Sequence, residues 1–366
     1  HYQAAKLTPQ QQTFKRDMAE TSVKLGSLGA EVSPVGWGFM SVGGGITYYD
    51  ESMKAEVEKA FDKFVELGGN HIDTSDVYGD GSTGGGESEK ILAELIKKHG
   101  REKFFIATKM SLASFLSKEE KFAKWGGPCT DPEYVKEACD QSLARLGIDC
   151  IDLYYSHRFD AKTPIEETAK AFKELVDAGK VKYVGVSEHT PEQIRAFNAV
   201  CPLTAVQQEW SVMARDLEAD IVPTCKELGI GVVAYSPLAR GLLTGTQRSR
   251  EEMPKDWRTA PADSPFGNCG RYDEDAMPHN VTLADKFGEV AKAKGCTPAQ
   301  LSLAWVLKSG ALPIPGTSKS LRLEENMKSA EVVLSDEDMI AIQTACPPGE
   351  VRGKRYSGPF MTYNGA

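Results

Sequence analysis

Hydrophobic residues along the chain fall into two alternating patterns. Short apolar runs, typical of buried strands, recur between segments whose apolar residues lie three or four positions apart, as in amphipathic helices. Several helical segments end at a glycine, as residues 53–67 do at Gly68, and glycine is a common helix stop. The pattern therefore predicts strands that alternate with helices along the chain.

The strands of this alternation predict an α/β fold, a (β/α)8 TIM barrel. The alternative is a doubly wound sheet, which needs a glycine fingerprint directly after its first strand, and none is present there. We also predict an N-terminal hairpin at 23–35, a long loop at 236–280 after the seventh barrel strand, and an extra C-terminal helix. The predicted barrel strands are 34–39, 71–73, 104–109, 151–156, 181–186, 205–207, 231–235 and 312–315. The predicted helices are 53–67, 87–98, 134–146, 165–178, 191–198, 217–228, 281–294, 298–308, 321–328 and 336–344.

No change of composition divides this alternation, so residues 22–344 are predicted to form a single barrel domain. Residues 1–21 are polar and are expected to form a loose arm. Residues 345–366 are rich in glycine and proline, and we expect them to form a tail that closes over the barrel mouth.

The composition narrows the class of protein. The 366 residues are 41% hydrophobic and carry a net charge of −9, without a long run of lysine and arginine. Binding to nucleic acid or to an anionic membrane is therefore not expected. The eight cysteines form no C-x-x-C pair and the six histidines no metal-binding pair, so we expect no metal site and a reducing compartment. No secretory signal is recognised near the start, and we expect a cytoplasmic protein. The oligomeric state is not readable from the sequence.

Polar residues stand at the predicted C-terminal ends of successive strands, where barrel enzymes have their active sites. Asp73, Lys109 and His157 end the second, third and fourth strands, and Tyr78 follows shortly after the second. A lysine ammonium lowers the pKa of a nearby phenol, and a buried lysine needs a partner such as Asp73. These four residues therefore predict a phenol that donates or accepts a proton at a carbonyl or alcohol, beside a separate hydride donor.

Each of these residues also has a simpler explanation. A lysine at a strand end is commonly a solvated flank, a histidine there can bond a backbone carbonyl, and Tyr78 could only pack. Gly79, Gly81 and Gly84 match the G-x-G-x-x-G spacing of dinucleotide folds, but they do not follow a strand directly, and a glycine loop explains them better. The coincidence of four such residues at neighbouring strand ends favours the catalytic interpretation.

Several motifs, in the right order over residues 22–344, resemble those of the aldo-keto reductases. The segment HIDTSDVYG at 71–79 is similar to the DTAxxYG segment of the family, with Ser75 where alanine is usual. The other matching segments are ATK at 107–109, DLYYSHR at 152–158, GVS at 185–187, AYSPL at 234–238 and IPGT at 314–317.

The resemblance implies a barrel that binds NADPH across its mouth and a catalytic tetrad with Tyr78 as proton donor. The tetrad is Asp73, Tyr78, Lys109 and His157. The implied cofactor-binding residues are Ser187, Gln207, Tyr235, Ser236, Leu238, Gly241, Gly316, Thr317, Lys319, Arg322, Glu325 and Asn326. Two further positions depart from the family: Glu188 stands where asparagine is frequent, and Ser318 where a basic residue is frequent.

The expected function is the NADPH-dependent reduction of an aldehyde or ketone, a small-molecule carbonyl substrate, to an alcohol. The alternative is a cofactor-binding barrel resembling the accessory subunits of potassium channels. Trp37, Tyr78 and His157 are the expected substrate contacts. Substrate choice is expected to depend as well on Phe39, Met40, residues 110–130, Trp210, Tyr356, Phe360 and Tyr363.

Overall fold

The computed structural model describes residues 22–43, 51–79, 85–112, 127–253, 256–261 and 269–356. The expectations for the arm at 1–21, for Gly81 and Gly84, and for Phe360 and Tyr363 lie outside these residues, as does much of the segment 110–130.

The strands follow the predicted order, although several are shorter than the pattern suggested. The first barrel strand is only Trp37–Gly38, because a 3-10 turn begins at Phe39, and the last ends at Pro313 rather than 315. The strands are β1 (Val23–Leu25), β2 (Ala30–Val32), β3 (Trp37–Gly38), β4 (His71–Asp73), β5 (Phe105–Met110), β6 (Ile151–Ser156), β7 (Val181–Ser187), β8 (Ala205–Glu209), β9 (Gly231–Tyr235) and β10 (Ala311–Pro313).

The helices agree with the predicted segments apart from their ends. Two starts were misplaced: the helix after the long loop begins at Met277 rather than 281, and the helix before β9 begins at Ile221 rather than 217. The helices are α1 (Lys54–Glu66), α2 (Glu87–His99), α3 (Pro132–Leu146), α4 (Ile165–Asp177), α5 (Pro191–Val200), α6 (Ile221–Leu228), α7 (Met277–Lys294), α8 (Pro298–Lys308), α9 (Ser320–Met327) and α10 (Asp336–Ala345).

Local chemistry explains where helices begin. Thr190 caps α5 and Thr297 caps α8, each with a proline at the first helical position and a glutamine three residues after the cap. In both cases the threonine hydroxyl accepts from the glutamine backbone N–H while the glutamine side chain bonds back to the cap, so two unpaired helix-end groups are satisfied.

The strands β3 to β10 form one parallel sheet in chain order. Its two edges meet: the backbone N–H of Gly36 donates to the carbonyl of Pro313 over 3.0 Å, and that of Gly38 to the carbonyl of Pro315 over 3.2 Å. With helices packed outside the sheet, this arrangement is consistent with a (β/α)8 barrel. Neighbouring parallel strands bring their C-terminal ends to the same face, which places the predicted polar residues together.

A small hairpin closes the opposite end of the barrel. Strands β1 and β2 pair antiparallel, and Leu25 and Val32 bury their side chains with Leu153 and Val233 inside the barrel. Gly26 has a φ of +67°, and a side chain there would lie 2.6 Å from the carbonyl of Thr204. Glycine is therefore required where the hairpin rests on the barrel floor.

Most of the core lies between the sheet and the surrounding helices. All eight cysteines are free thiols, and six of them are buried. Among the described helices, none has both the length and the apolar character needed to cross a lipid bilayer.

Candidate active site

A buried ion pair lies at the centre of the barrel mouth. Asp73 ends β4 and Lys109 lies near the end of β5, and the Lys109 Nζ is 2.5 Å from the Asp73 Oδ1. Lys109 also donates to the carbonyl of Thr74 over 2.7 Å, and the amide of Gln207 donates to the other Asp73 oxygen over 2.8 Å. Burial acts to lower the pKa of Lys109, but the Asp73 carboxylate raises it, and the net pKa is above its ordinary value. Lys109 therefore keeps its charge in the core.

Tyr78 lies against this pair. The Lys109 Nζ is 5.1 Å from the centre of the Tyr78 ring, and the edge of that ring meets His157 with 6.0 Å between ring centres. Burial raises the pKa of the phenol and the Lys109 charge lowers it, with a net pKa above the ordinary value. The lysine charge alone predicts a lowered pKa for Tyr78. Burial outweighs that charge, because the phenolate would lose its hydration in the buried site.

His157 follows β6 and is held from two sides. Its backbone N–H donates to the carbonyl of Met110 over 2.8 Å, and its ring Nδ1 is 3.1 Å from the hydroxyl of Ser75. Burial, with the charges of Arg158 and Lys109, lowers the pKa of His157 well below its ordinary range. The imidazole is therefore neutral at physiological pH.

Arg158 is a site residue to which the sequence patterns alone give no role. Its guanidinium is buried and donates to the backbone carbonyl of His157 over 2.7 Å and to the hydroxyl of Ser187 over 3.3 Å. It thus connects the end of β6 with the end of β7. Its position directly after the predicted histidine was the available signal.

The positions at the ends of β7 and β9 are linked to the C-terminal tail. The buried Glu188 carboxylate accepts from the Tyr235 hydroxyl over 2.8 Å and from both terminal nitrogens of Arg355 over 2.9 and 3.0 Å. The Tyr235 and Tyr356 hydroxyls are 3.2 Å apart. Burial would raise the pKa of Glu188, but the Arg355 charge lowers it below its ordinary value. The residue that replaces the usual asparagine therefore binds the tail.

The turn after β9 has an unusual backbone. Ser236, Ala239 and Arg240 have φ values of 49°, 49° and 59°, and Gly241 has 111°. Non-glycine residues rarely adopt this left-handed conformation. Two N–H groups are used within the turn, because Ala239 donates to the carbonyl of Ser236 over 2.9 Å and Gly241 to that of Leu238 over 3.0 Å. The turn contains the predicted pyrophosphate contacts Ser236, Leu238 and Gly241.

The segment after β10 presents the other predicted cofactor residues. Gly316, Lys319 and Arg322 are exposed at the start of α9, Thr317 and Asn326 are buried, and Glu325 is half-buried. Their arrangement offers two cations to solvent. The N-terminus of α9 is capped by Glu56, whose carboxylate accepts from the backbone N–H and the hydroxyl of Ser320, each over 2.8 Å. This segment and the turn after β9 follow neighbouring strands, so both lie around the same face of the barrel.

An apolar patch adjoins the phenol. Val77, Leu112 and Met40 pack together with Tyr78, and Met40 is partly exposed. Both Met40 and Leu112 fall within the set on which substrate choice was expected to depend.

Trp37 does not fit the substrate contact expected of it. The ring is fully buried against Phe61 and Phe64 of α1, and its N–H donates to the carbonyl of Thr317 over 2.9 Å. A ring enclosed between sheet and helix cannot touch a ligand. Phe39 packs in the same cluster, and Trp210 lies edge-on to Trp305 of α8, so these aromatic residues belong to the core as well.

Comparison with known proteins identifies the class to which this fold and site belong. The sequence profile of the Aldo/keto reductase family matches residues 34–346. The chain belongs to the aldo/keto reductase family. It is 40% identical to the "Probable aldo-keto reductase 1" of Glycine max over 349 residues, which cover 94% of this chain and 92% of that protein. This membership supports an oxidoreductase that reduces carbonyl compounds.

Solved structures give the same result for the fold. The glycerol dehydrogenase of Gluconobacter oxydans matches with a TM-score of 0.77 and 26% identity, covering 91% of this chain and 98% of that one. A thermostable aldo-keto reductase, solved with the inhibitor epalrestat, matches with a TM-score of 0.69 and 26% identity, covering 89% and 99%. These relatives are named as reductases or dehydrogenases, so the alternative of a channel accessory subunit is not favoured.

Proposed function

We propose that this protein reduces an aldehyde or ketone to an alcohol with NADPH, and that Tyr78 is the general acid. The observation that carries the proposal is the buried Asp73–Lys109 pair directly beside the Tyr78 ring and the neutral His157. A buried charged pair of this kind costs desolvation free energy, and its position next to a phenol gives it a chemical use.

Tyr78 supplies the proton of the reaction. Because its pKa is raised, the phenol is fully protonated at neutral pH and can donate to the carbonyl oxygen as that oxygen gains negative charge. The phenolate that remains is stabilised by the Lys109 ammonium, whose own charge is secured by Asp73. The cofactor, when bound, supplies the hydride that adds to the carbonyl carbon. His157, whose ring contacts that of Tyr78, is placed to orient the same carbonyl oxygen.

The residues around the mouth fit a nicotinamide dinucleotide phosphate. The tight turn at 236–241 is proposed to hold the pyrophosphate, and Lys319 and Arg322 offer charge to a 2′-phosphate. Arg322 can hold a phosphate through two nitrogens. Ser187, Gln207 and the Tyr235 ring are proposed to hold the nicotinamide end. Gln207 already donates to Asp73, so its oxygen is the atom that remains to accept from the carboxamide.

The substrate is proposed to be a small carbonyl compound with an apolar flank. Met40, Val77 and Leu112 offer an apolar surface next to Tyr78. We also propose that the tail at 345–366 closes over the mouth, supported by the contacts of Arg355 and Tyr356 with the ends of β7 and β9.

The Tyr78→Phe variant tests the chemical assignment. It should lower kcat for carbonyl reduction at least about 100-fold, because general acid catalysis contributes on this scale. The affinity for NADPH should stay within about threefold, because the hydroxyl serves only the proton transfer. Steady-state NADPH oxidation with aromatic aldehydes and fluorescence titration measure the two quantities.

The matched control is Tyr183→Phe, which removes a hydroxyl from a partly buried barrel tyrosine that neighbours Phe105 at the other end of the sheet. It should keep wild-type turnover. If Tyr78→Phe retains turnover within a few-fold of wild type, Tyr78 is not the acid.

The cofactor is tested separately by titrating NADPH and NADH into the wild-type protein. A single charge-assisted contact to the 2′-phosphate predicts at least about tenfold tighter binding of NADPH, and a preference that narrows in high salt. Equal affinities would overturn the NADPH assignment and leave the assignment of Tyr78 intact.

A further inference from the structure

Ser75 stands where the family usually has alanine, and its hydroxyl contacts a tetrad residue. The side chain is fully buried, and its oxygen lies 3.1 Å from the Nδ1 of His157. An alanine at this position would leave the Nδ1 without this partner. The Ser75 hydroxyl therefore acts on the His157 ring in a way that the other tetrad residues do not.

The direction of this hydrogen bond follows from the other neighbours of the hydroxyl. The carbonyl of Lys109 is a poorer acceptor at 3.4 Å, and the backbone N–H of Val77 donates to the Ser75 oxygen over 3.5 Å. The remaining neighbour is the Asp76 carboxyl, whose Oδ1 is 3.2 Å away. Whether the Ser75 proton is free for His157 therefore depends on Asp76.

Asp76 is buried beside Glu89, and within the described residues its Oδ2 has no hydrogen-bond partner. Burial, reinforced by the Glu89 charge, raises the pKa of Asp76 to about 8, so the carboxyl is protonated at neutral pH. A protonated carboxyl can donate over this 3.2 Å contact, whereas a carboxylate could only accept from the Ser75 hydroxyl. The Ser75 proton is then available to the His157 Nδ1. In this arrangement Asp76 donates to Ser75, and Ser75 donates to His157.

We propose that Ser75 is a positioning residue that holds neutral His157 in the tautomer with its hydrogen on Nε2. In a neutral imidazole one nitrogen donates and the other accepts, so a hydrogen bond received at Nδ1 makes Nε2 the donor. An Nε2–H beside Tyr78 can donate to a substrate carbonyl oxygen and orient it for protonation. This last step depends on the proposed function, whereas the tautomer itself does not.

Nitrogen NMR of protein labelled with 15N-histidine tests the tautomer in the full chain. The wild-type His157, assigned by the loss of its signals in His157→Gln, should show a protonated Nε2 and an unprotonated Nδ1 at pH 7. Ser75→Ala should shift these signals toward a mixture of both tautomers. A wild-type Nδ1 that carries the hydrogen would overturn the proposal, and this measurement needs no variant of Ser75 to fold.

Kinetics of the variants give the second readout. Ser75→Ala should lower kcat about three- to tenfold, as expected for the loss of one hydrogen bond, with the NADPH affinity within about twofold. Ser75→Thr, which keeps a hydroxyl, should recover the wild-type tautomer and most of the activity. Asp76→Asn should also keep the wild-type tautomer and most of the activity, because an amide can still donate to Ser75.

The matched control is Ser142→Ala, which removes a fully buried hydroxyl that bonds Arg145 and does not touch the tetrad. It should leave tautomer and kcat unchanged. An unchanged His157 spectrum and unchanged kcat in Ser75→Ala would refute the positioning role. A wild-type protein without carbonyl turnover would refute the proposed function, while its His157 spectrum would still decide the tautomer.

Discussion

At the scale of single residues, the site is shaped by ionisable groups whose charge state is set by burial. Tyr78 and Asp76 are held protonated and His157 neutral, whereas Lys109 keeps its charge through Asp73. Burial disfavours the charged form of each group, and only a close partner of opposite charge reverses this. Beside the Lys109–Asp73 pair and the buried Arg158 guanidinium, the site therefore contains neutral groups that can donate hydrogen bonds.

The pKa of Asp76 predicts a specific dependence of stability on pH. An ordinary aspartate titrates near 3.8, and folding raises the pKa to about 8. Between these values the folded protein holds a proton that the unfolded chain has lost, so this residue makes the fold less stable as the pH rises. Asp76→Asn removes the titration. The free energy of unfolding of the variant should therefore rise relative to wild type by up to about 1.4 kcal/mol per pH unit between about pH 4 and 8.

Urea unfolding of both proteins at several pH values measures this difference. The difference in unfolding free energy should reach a constant value above pH 8, where Asp76 has lost its proton in both the folded and the unfolded wild-type protein. The neutral histidines His71 and His189, whose pKa values burial lowers to about 4, are common to both proteins and cancel in the comparison. A difference that does not change with pH would show that Asp76 is ionised at neutral pH.

At the scale of elements, the tail is attached to the barrel by buried polar contacts. Asn280 of α7 exchanges two hydrogen bonds with the backbone of Arg352, and the Arg240 guanidinium stacks 4.2 Å above the ring of Tyr356. Arg240 and Arg271 also bind the two oxygens of Glu209 at the end of β8, over 2.6 and 2.9 Å. The tail is thus joined to the same strand ends that carry the candidate cofactor site.

Arg355 is predicted to be the main attachment of the tail. Arg355→Ala leaves the buried Glu188 without its cation, and the loss of one partner of such a pair is costly. Amide hydrogen exchange of residues 350–356 should accelerate at least about tenfold, because the segment then opens locally. The catalytic efficiency with carbonyl substrates should fall, because the tail is proposed to form part of the mouth.

Lys354→Ala is the control for this experiment, since its side chain is exposed in the same segment. It should leave both exchange and activity near wild-type values. If Arg355→Ala exchanges no faster than Lys354→Ala, the ion pair does not hold the tail.

At the scale of the whole molecule, contacts that stabilise the fold and residues proposed to react lie at opposite ends of the barrel. The hairpin of β1 and β2 closes the end where the strands begin, and the tetrad lies where they end. Contacts at the closed end support the fold without reaching the reacting groups. This separation is common to barrel enzymes.

Leu25→Ala should therefore reduce stability without affecting the chemistry. Truncating a fully buried leucine costs about 2–5 kcal/mol through lost burial and the cavity that is left. Urea unfolding measures this loss, and kcat at temperatures where the variant is folded should be unchanged. The control is Val23→Ala on the same strand, whose side chain is 37% exposed and whose truncation should cost no more than about 0.5 kcal/mol. A fall in kcat for Leu25→Ala would contradict the separation.

Features that depend on local pattern could be predicted from the amino-acid sequence alone. The alternation of apolar runs and helical spacing predicted the order of strands and helices, because a strand or helix must bury one face of its own. It also placed Asp73, Lys109 and His157 at strand ends, and parallel strands bring those ends together. Element ends were less exact, as Met277 and the short β3 show, because neighbouring contacts decide where a helix or strand stops.

Features that join distant parts of the chain became visible only in the folded protein. Arg355 and Glu188 are 167 residues apart, and no local pattern links them. The direction in which the Tyr78 pKa shifts depends on how completely the folded site excludes water. The presence of one neighbouring charge in the sequence does not reveal this. The burial of Trp37 depends likewise on Phe61 and Phe64 of a helix that follows it. The charge state, burial and partners of a side chain depend on residues from many parts of the fold. Strand and helix patterns depend on residues that are consecutive in the sequence.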